Sequence, residues 1–437
     1  MRAQSRASRV MVVVGAASAL SLLAACAGGE GSPVGAGAAD KKGTAADGSV
    51  VLELSQWWEP ELPKGALRGI MDGFEQQNPG IKVKLISAPY ASTQQQTVAG
   101  AASKTLADVV GLDGAWVNDL AKQKAVTDLT TLMKDAGYDD SQLASQIKVD
   151  GQTYMIPVVN FVYPMFTNDD LLAKAGVAKP PTTRSEFLAA AKAVSKTGNG
   201  NAGWILPLAQ DAPNGIQNDV MSWVWASGGS MLKDGQPDVT NDSVKSAVSF
   251  VKDLYDAKAI APGTLTMHEQ DKVEQFTNGR VGMMIDSLAH ITLIRENNPK
   301  LKFSISAIPA QDGYTGKRGM PYASWGIGVA ENSKHKKEAW KLVQYLMSTD
   351  VNSKLSSVAN AFPGNTKSVP DFVKSDAKFK TAFDIWNKGV PANEFTGLPT
   401  AEDLMRSFDE QLQQTLANNQ PVDKSLADVQ AAWAKKF

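Results

Sequence analysis

The chain has 437 residues, with 44 Lys and Arg against 45 Asp and Glu, for a formal net charge of −1. That balance, with no Lys/Arg-rich tract, excludes the electrostatic footprint of a nucleic-acid binder. One cysteine and three histidines exclude a disulfide framework and leave little material for a transition-metal site, while the length allows two or three domains and a large core.

Arg2, Arg6 and Arg9 make a basic start, and Val10 to Ala25 is an uncharged, mainly apolar run. The run is shorter than the roughly 20 residues of a membrane span and reads as a secretory signal peptide over 1–25. There is no Arg-Arg pair, which argues against a twin-arginine route. Leu23-Ala24-Ala25-Cys26 resembles the bacterial lipobox, in which the cysteine is lipidated and becomes the new N-terminus. An incidental Cys26 behind a plain signal peptide is the simpler alternative. Residues 26–48 are mostly Gly, Ala, Ser, Asp and Lys, cannot bury apolar area, and read as a flexible tether.

Order is expected from Ser49. "VVLELSQWW" alternates as a strand, "ELPKGALRGIMDGFEQQ" sets Leu67, Ile70, Met71 and Phe74 on one helical face, and Asn78-Pro79-Gly80 stops it. "IKVKLISAP" alternates again, and strand–helix–strand spacing predicts parallel pairing. Gln94–Lys104 reads as a helix, "ADVVGLD" as a buried strand, "AWVNDLAKQKAV" as a helix, and "GQTYMIPVV" and "YPMFTN" as strands. Thr183 and Glu186 form a capping box before a helix carrying Phe187, Leu188, Ala191 and Val194. A helix follows from Asp242 to about Ala257, then strands at "VGMMID" and "KFSISAIP", an amphipathic helix at "HKKEAWKLVQYLMS", and a largely helical end. Interleaved strands and helices with no fixed-period repeat predict an α/β fold. The length suits two lobes, each with its own sheet and a ligand cleft between them.

Enzyme motifs are absent: no G-x-S-x-G elbow, no Gly-rich phosphate loop, no H-E-x-x-H. His268, His290 and His335 lack paired spacing. His335 reads as a solvated helix start, and His290, after a strand, is the one placed to line a cleft. The ten tryptophans say more. Trp57 and Trp58 follow the first strand, and Trp116, Trp204, Trp223, Trp225 and Trp325 fall near expected strand ends and loops. Sugar C–H faces pack on aromatic rings while sugar hydroxyls need fixed polar partners. Trp57, Glu59, Asp113 and Asn160 supply that mix if the strand ends converge, because ligands of open α/β sheets sit at the carboxyl ends of strands. Trp340 and Trp433 read as helix packing. Trp223 and Trp225, one alternation apart, are expected on one face, with one of them structural.

"FEQQNPGIKVKL", "LADVVGLDGAWVNDLAKQKAVTDLT", "SWVWASGGSML", "FTNGRVGMMID", "ASWGIGVAENSKHKKEAWKLVQYLMS" and "NAFPGNT" follow in this order behind the lipobox. Together they resemble the extracellular solute-binding proteins of bacterial ABC importers, in the carbohydrate-binding group that includes the maltodextrin-binding proteins. The likeness covers residues 49–437. It implies a type II two-lobed α/β fold, with 49–159 plus 308–362 in the first lobe and 160–307 plus 363–437 in the second. It implies ligand contacts at Trp57, Trp58, Glu59, Asp113, Asn160 with Phe161 beside it, Asn218 or Trp223, Asp286, Ser324 and Trp325. No catalytic residue, metal or cofactor is implied. The implied partners are a small carbohydrate, permease subunits with a separate ATPase, and the membrane, reached through a lipid anchor on the extracytoplasmic face by a monomer that binds no nucleic acid. Two departures bear on the ligand: "DSLAH" (286–290) lacks the Trp common after that strand, and Thr167-Asn168 stands for the usual Tyr-Asn. Two alternatives stay open: a receptor for a non-sugar cation such as a polyamine, and a surface-anchored carbohydrate-active enzyme.

Overall fold

The computed structural model describes residues 47–437. The expected signal peptide, the lipidation site Cys26 and all but the end of the tether lie outside the described residues. The first strand, Val50–Gln56, pairs in parallel with Ile81–Ser87 from Val50↔Ile81 to Gln56↔Ser87. The crossover between them is the helix Ala66–Gln77, which buries Leu67, Ile70, Met71 and Phe74 against the sheet. Each such side chain contributes about 1.5–3 kcal/mol through removal from water. The helix ends at Asn78, because Pro79 lacks the amide a further turn requires.

Two sheets organise the chain. In the larger, eight-stranded one, the order is Phe362–Pro363, Gln152–Val162, Gly319–Val329, Val109–Leu112, Val50–Gln56 and Ile81–Ser87, with Ile147–Val149 and Val390–Ala392 on its flanks. The second sheet runs Phe303–Ser306, Met165–Asn168, Val281–Ile285, Ala202–Trp204. The chain therefore leaves the first sheet after Val162 and joins the second at Met165. Both sheets are covered by helices. Trp340 and Leu342 of Lys336–Leu346 close the first core. The second core receives Val244, Val248 and Val251 of Asp242–Asp256 and Leu404, Phe408 and Leu412 of Ala401–Ala417.

The capping box forms as expected. Thr183 Oγ1 accepts from the Glu186 amide, and the Glu186 carboxylate accepts from the Thr183 amide, each at 3.3 Å. Burial also pins the register, since a one-residue slip would turn every core side chain outward. One expectation fails. Trp223 and Trp225 lie on a helix, Met221–Trp225, not a strand. At 3.6 residues per turn, side chains two apart diverge by about 200°. The two rings accordingly reach different partners: Trp223 meets Phe187, Trp204 and Phe250, while the Trp225 indole N–H donates to Glu394 at 2.6 Å.

Candidate functional site

Val50–Gln56 runs parallel to both Ile81–Ser87 and Val109–Leu112, so the carboxyl ends of these three strands share one edge. The segments leaving that edge carry Trp57 and Trp58, then Tyr90, then Asp113 and Trp116. They meet: Trp57 lies 5.3 Å from Tyr90 and 5.4 Å from Trp116 between ring centroids, and Tyr90 lies 5.1 Å from Trp116. Gly319–Val329 is antiparallel to Val109–Leu112 with Gly326 opposite Leu112, which brings Trp325 to the same edge. Its indole stacks on Trp58 at 5.7 Å and 12°, and Phe161 meets it edge-on at 5.0 Å. The pairing with Gln152–Val162 shifts at Trp325/Gly326, a bulge of the sort that re-aims side chains beside sites.

Asp113 is fixed by its own loop, Oδ1 accepting from the Ala115 amide at 2.8 Å. Burial pushes its carboxyl up, the Ala115 amide and Tyr90 hydroxyl pull it back, and the Glu402 charge pushes it further up. Tyr90 keeps 36% of its surface exposed, yet burial is the largest cause raising its hydroxyl, followed by the charges of Asp113 and Glu402. The loop bearing Asp113 is clasped from the far end of the chain: the Gly397 amide donates to Gly114 O at 3.0 Å and Asn118 Nδ2 to Gly397 O at 2.9 Å. Gly114 allows this close approach, since a Cβ would come within 2.5 Å of Thr396 Cγ2 and the Thr396 side chain would have to shift. Glu59 belongs to this edge too, its amide held by Gln56 Oε1 at 2.9 Å and its carboxylate accepting from the Ser87 hydroxyl.

A second polar group lies beside the chain's passage between sheets. Asp286 follows the strand Val281–Ile285, and its amide donates to Pro164 O at 3.3 Å. Its Oδ2 contacts His290 Nδ1 at 2.8 Å, and Lys272 Nζ lies 3.7 Å from Oδ1. Lys272 is completely buried, 3.2 Å from Asp219 and 2.6 Å from Glu269, and also donates to Ile285 O at 2.8 Å. Burial opposes the lysine's charge, but the three carboxylates outweigh it and hold the ammonium protonated. Burial pushes Asp286 up, and His290 and Lys272 outweigh this to bring it below the ordinary range. Asp219, with Oδ1 unpartnered among the described residues, is raised by burial. Asn218 joins by donating to Glu269 Oε1 at 3.2 Å.

The predicted residues thus fall into three sets. Trp57, Trp58, Glu59, Asp113 and Trp325 gather at the first-sheet edge. Asn160 and Ser324 are register partners in the same sheet; Asn160 is buried, donates to Pro363 O at 3.3 Å, and its Oδ1 has no partner among the described residues. Asn218 and Asp286 belong to the second-sheet cluster. Trp223 does not reach open space: it is fully buried among core aromatics, so of the pair it is Asn218 that remains a candidate. Trp57, Trp58 and Trp325 are themselves almost wholly covered, so the accessible rings are Tyr90, which the sequence reading omitted, and in part Phe161. The strand-end rule that selected Trp57 and Asp113 applies equally to Tyr90, three residues past Ser87. Glu402 and Lys272 carried no such signal.

The chain matches the family described as bacterial extracellular solute-binding protein over residues 56–353. A binding protein of Brucella abortus (strain 2308) is 30% identical over 301 residues, 68% of this chain and 72% of that protein. The diacetylchitobiose binding protein DasA of Streptomyces coelicolor is 23% identical over 86% of each chain. Among solved structures, the cyclic α-maltosyl-1,6-maltose binding protein from Arthrobacter globiformis superposes with a TM-score of 0.76 at 19% identity, covering 89% of this chain and 99% of that one. The sugar-binding protein MalE from Xanthomonas citri gives 0.74 at 18%, covering 88% and 97%. The fold is the two-lobed α/β fold of these binding proteins, and the chain belongs to the bacterial extracellular solute-binding proteins.

Proposed function

We propose that the protein is the substrate-binding lipoprotein of an ABC importer, taking a sugar or oligosaccharide between two lobes near 49–159 plus 308–362 and 160–307 plus 363–437. The observation that carries this reading is the first-sheet edge, where ring faces lie beside fixed hydrogen-bonding groups, Asp113 with Trp57, Tyr90 and Trp116. Rings supply contact for sugar faces, and the carboxyl and amide groups select hydroxyl positions, because a buried polar group left unpaired costs about 1–3 kcal/mol. Similarity to named sugar-binding proteins supports the same ligand class.

In this mechanism the ligand contacts both lobes only in the closed form and shifts the hinge equilibrium by that difference. The second-lobe contacts are Asn218, Asp286 and the exposed part of Glu269. The closed form docks on the permease, and a separate ATPase drives release. The reading includes no chemical step at the site. Cys26 carries the anchor on the extracytoplasmic face, where two acyl chains hold stably and one holds marginally.

A thermal-shift screen of the full chain in detergent against maltodextrins, chitooligosaccharides and monosaccharides tests the reading. A ligand at about 100 times its dissociation constant adds about 2.7 kcal/mol of apparent stability. Tyr90→Ala should weaken that ligand and leave the ligand-free midpoint nearly in place. If no sugar shifts the midpoint, or if turnover products accumulate, the reading is wrong.

A further inference from the structure

The segment that enters the helix Ala401–Ala417 is fastened to both cores. Val390–Ala392 pairs in parallel with Gly319–Pro321, and Asn393 Nδ2 donates to Tyr322 O at 2.8 Å. The next two residues are anchored in the second core. The Glu394 carboxylate accepts from the Trp225 indole at 2.6 Å, from the Met231 amide at 2.9 Å and from the Ser230 hydroxyl. Phe395 is fully buried beside Trp433. Two residues later, Gly397 is held at the first-sheet edge by Gly114 O and Asn118 Nδ2. Asn118 lies on Val117–Lys122, whose Val117 and Leu120 belong to the first core. Gly397 has φ +83°, and a Cβ there would come within 3.3 Å of Lys148 O, so the bend that reaches the first sheet favours glycine. Ala115, on the same loop as Gly114, packs against both cores, so the lobes meet here.

The clasp adjoins unfilled space. A cavity of about 450 Å³ has Gln94 and Trp116 on one side and Thr400 and Glu402 on the other. Gln94 Nε2 reaches Glu402 Oε1 only at a long 3.3 Å. A meeting made by a few polar bonds beside a cavity can part without disrupting either core, as a two-state element requires. Its slack is small, since two residues span at most about 7 Å. Lobes that separate further must release Gly397 or pull Phe395 out of its core, and the two bonds at Gly397 are the weaker hold. We propose that residues 393–400 form a strap between the lobes, and that its clasp on Gly114 and Asn118 biases the ligand-free protein toward the closed arrangement. Gly114 directly follows Asp113, so the strap ties the separation of the lobes to the loop bearing a ligand contact. This rests on the hinge-closure reading and adds the element that weights the hinge.

The test is made without ligand. The full chain in detergent, carrying Cys26→Ser, is spin-labelled through Lys337→Cys and Lys192→Cys, exposed positions on helices over the first and second cores. Double electron–electron resonance reads the distance distribution between them. Asn118→Ala should raise the ratio of separated to closed lobes about fivefold, the effect of losing one hydrogen bond. Asn118→Asp removes the same donor with the side-chain shape kept, and should raise the ratio as well. Asn332→Ala, which deletes an amide bond to Leu106 O inside the first lobe, should leave the ratio unchanged. Two populations whose ratio ignores both Asn118 variants overturn the strap and leave the hinge standing. So does an equal shift in Asn332→Ala. One narrow distance shared by the parent and both Asn118 variants also overturns the strap. If the sugar found by the thermal-shift screen leaves that distance unmoved, hinge closure falls with it.

Discussion

The helix that carries Glu402 to the site also holds a buried carboxyl, and its titration should set part of the protein's pH dependence. Asp409 lies on Ala401–Ala417 with no accessible surface. Its partner is Gln413 Nε2, at 3.4 and 3.5 Å, and that amide makes a shorter bond to Leu208 O at 2.7 Å. Burial, slightly reinforced by Glu410, pushes the carboxyl from 3.8 to about 7. The folded state therefore binds a proton more tightly than the unfolded one. Its favourable contribution is complete below pH 4, declines as pH rises, and is gone above about pH 7. At about 1.4 kcal/mol per pH unit, the charged form costs the fold about 4 kcal/mol at pH 8. Asp409→Asn supplies a neutral group of the same shape. The variant should match the parent near pH 4 and gain on it steadily, to about 4 kcal/mol at pH 8. Urea unfolding of both proteins across that range measures the difference. A gap that stays below about 1 kcal/mol at pH 8 means that the Asp409 carboxylate is solvated or paired, and the reasoning fails.

Lys272→Met should cost about 3–5 kcal/mol at neutral pH, because it strands the buried Asp219 without a cation and leaves Asp286 with His290 alone. The loss should shrink toward pH 4 as those carboxyls take up protons; urea unfolding at both pH values checks it, and a loss independent of pH would point to packing alone. Gly114→Ala should cost about 1–3 kcal/mol through the clash with Thr396 and should lower ligand affinity by shifting the Asp113 loop. Unchanged affinity would show that the clasp from Gly397 does not position that loop.

Pattern alone was enough for the α/β alternation, the capping box at Thr183 and the parallel pairing of the first two strands. These depend on contacts close in sequence or on burial periodicity, which the chain writes directly. The strand-end rule likewise led to Trp57 and Asp113, since parallel strands must release their loops on one side of the sheet. The Met221–Trp225 segment misled because a short apolar aromatic run has no period long enough to separate helix from strand. Tertiary structure alone decided that Trp223 is core, that Tyr90 keeps an open face, and that Lys272 serves three carboxylates. It also decided that Glu402, 289 positions beyond Asp113, borders the same cavity as Trp116. Those facts depend on which distant segments fold together, and neither charge pattern nor spacing encodes a neighbour hundreds of residues away.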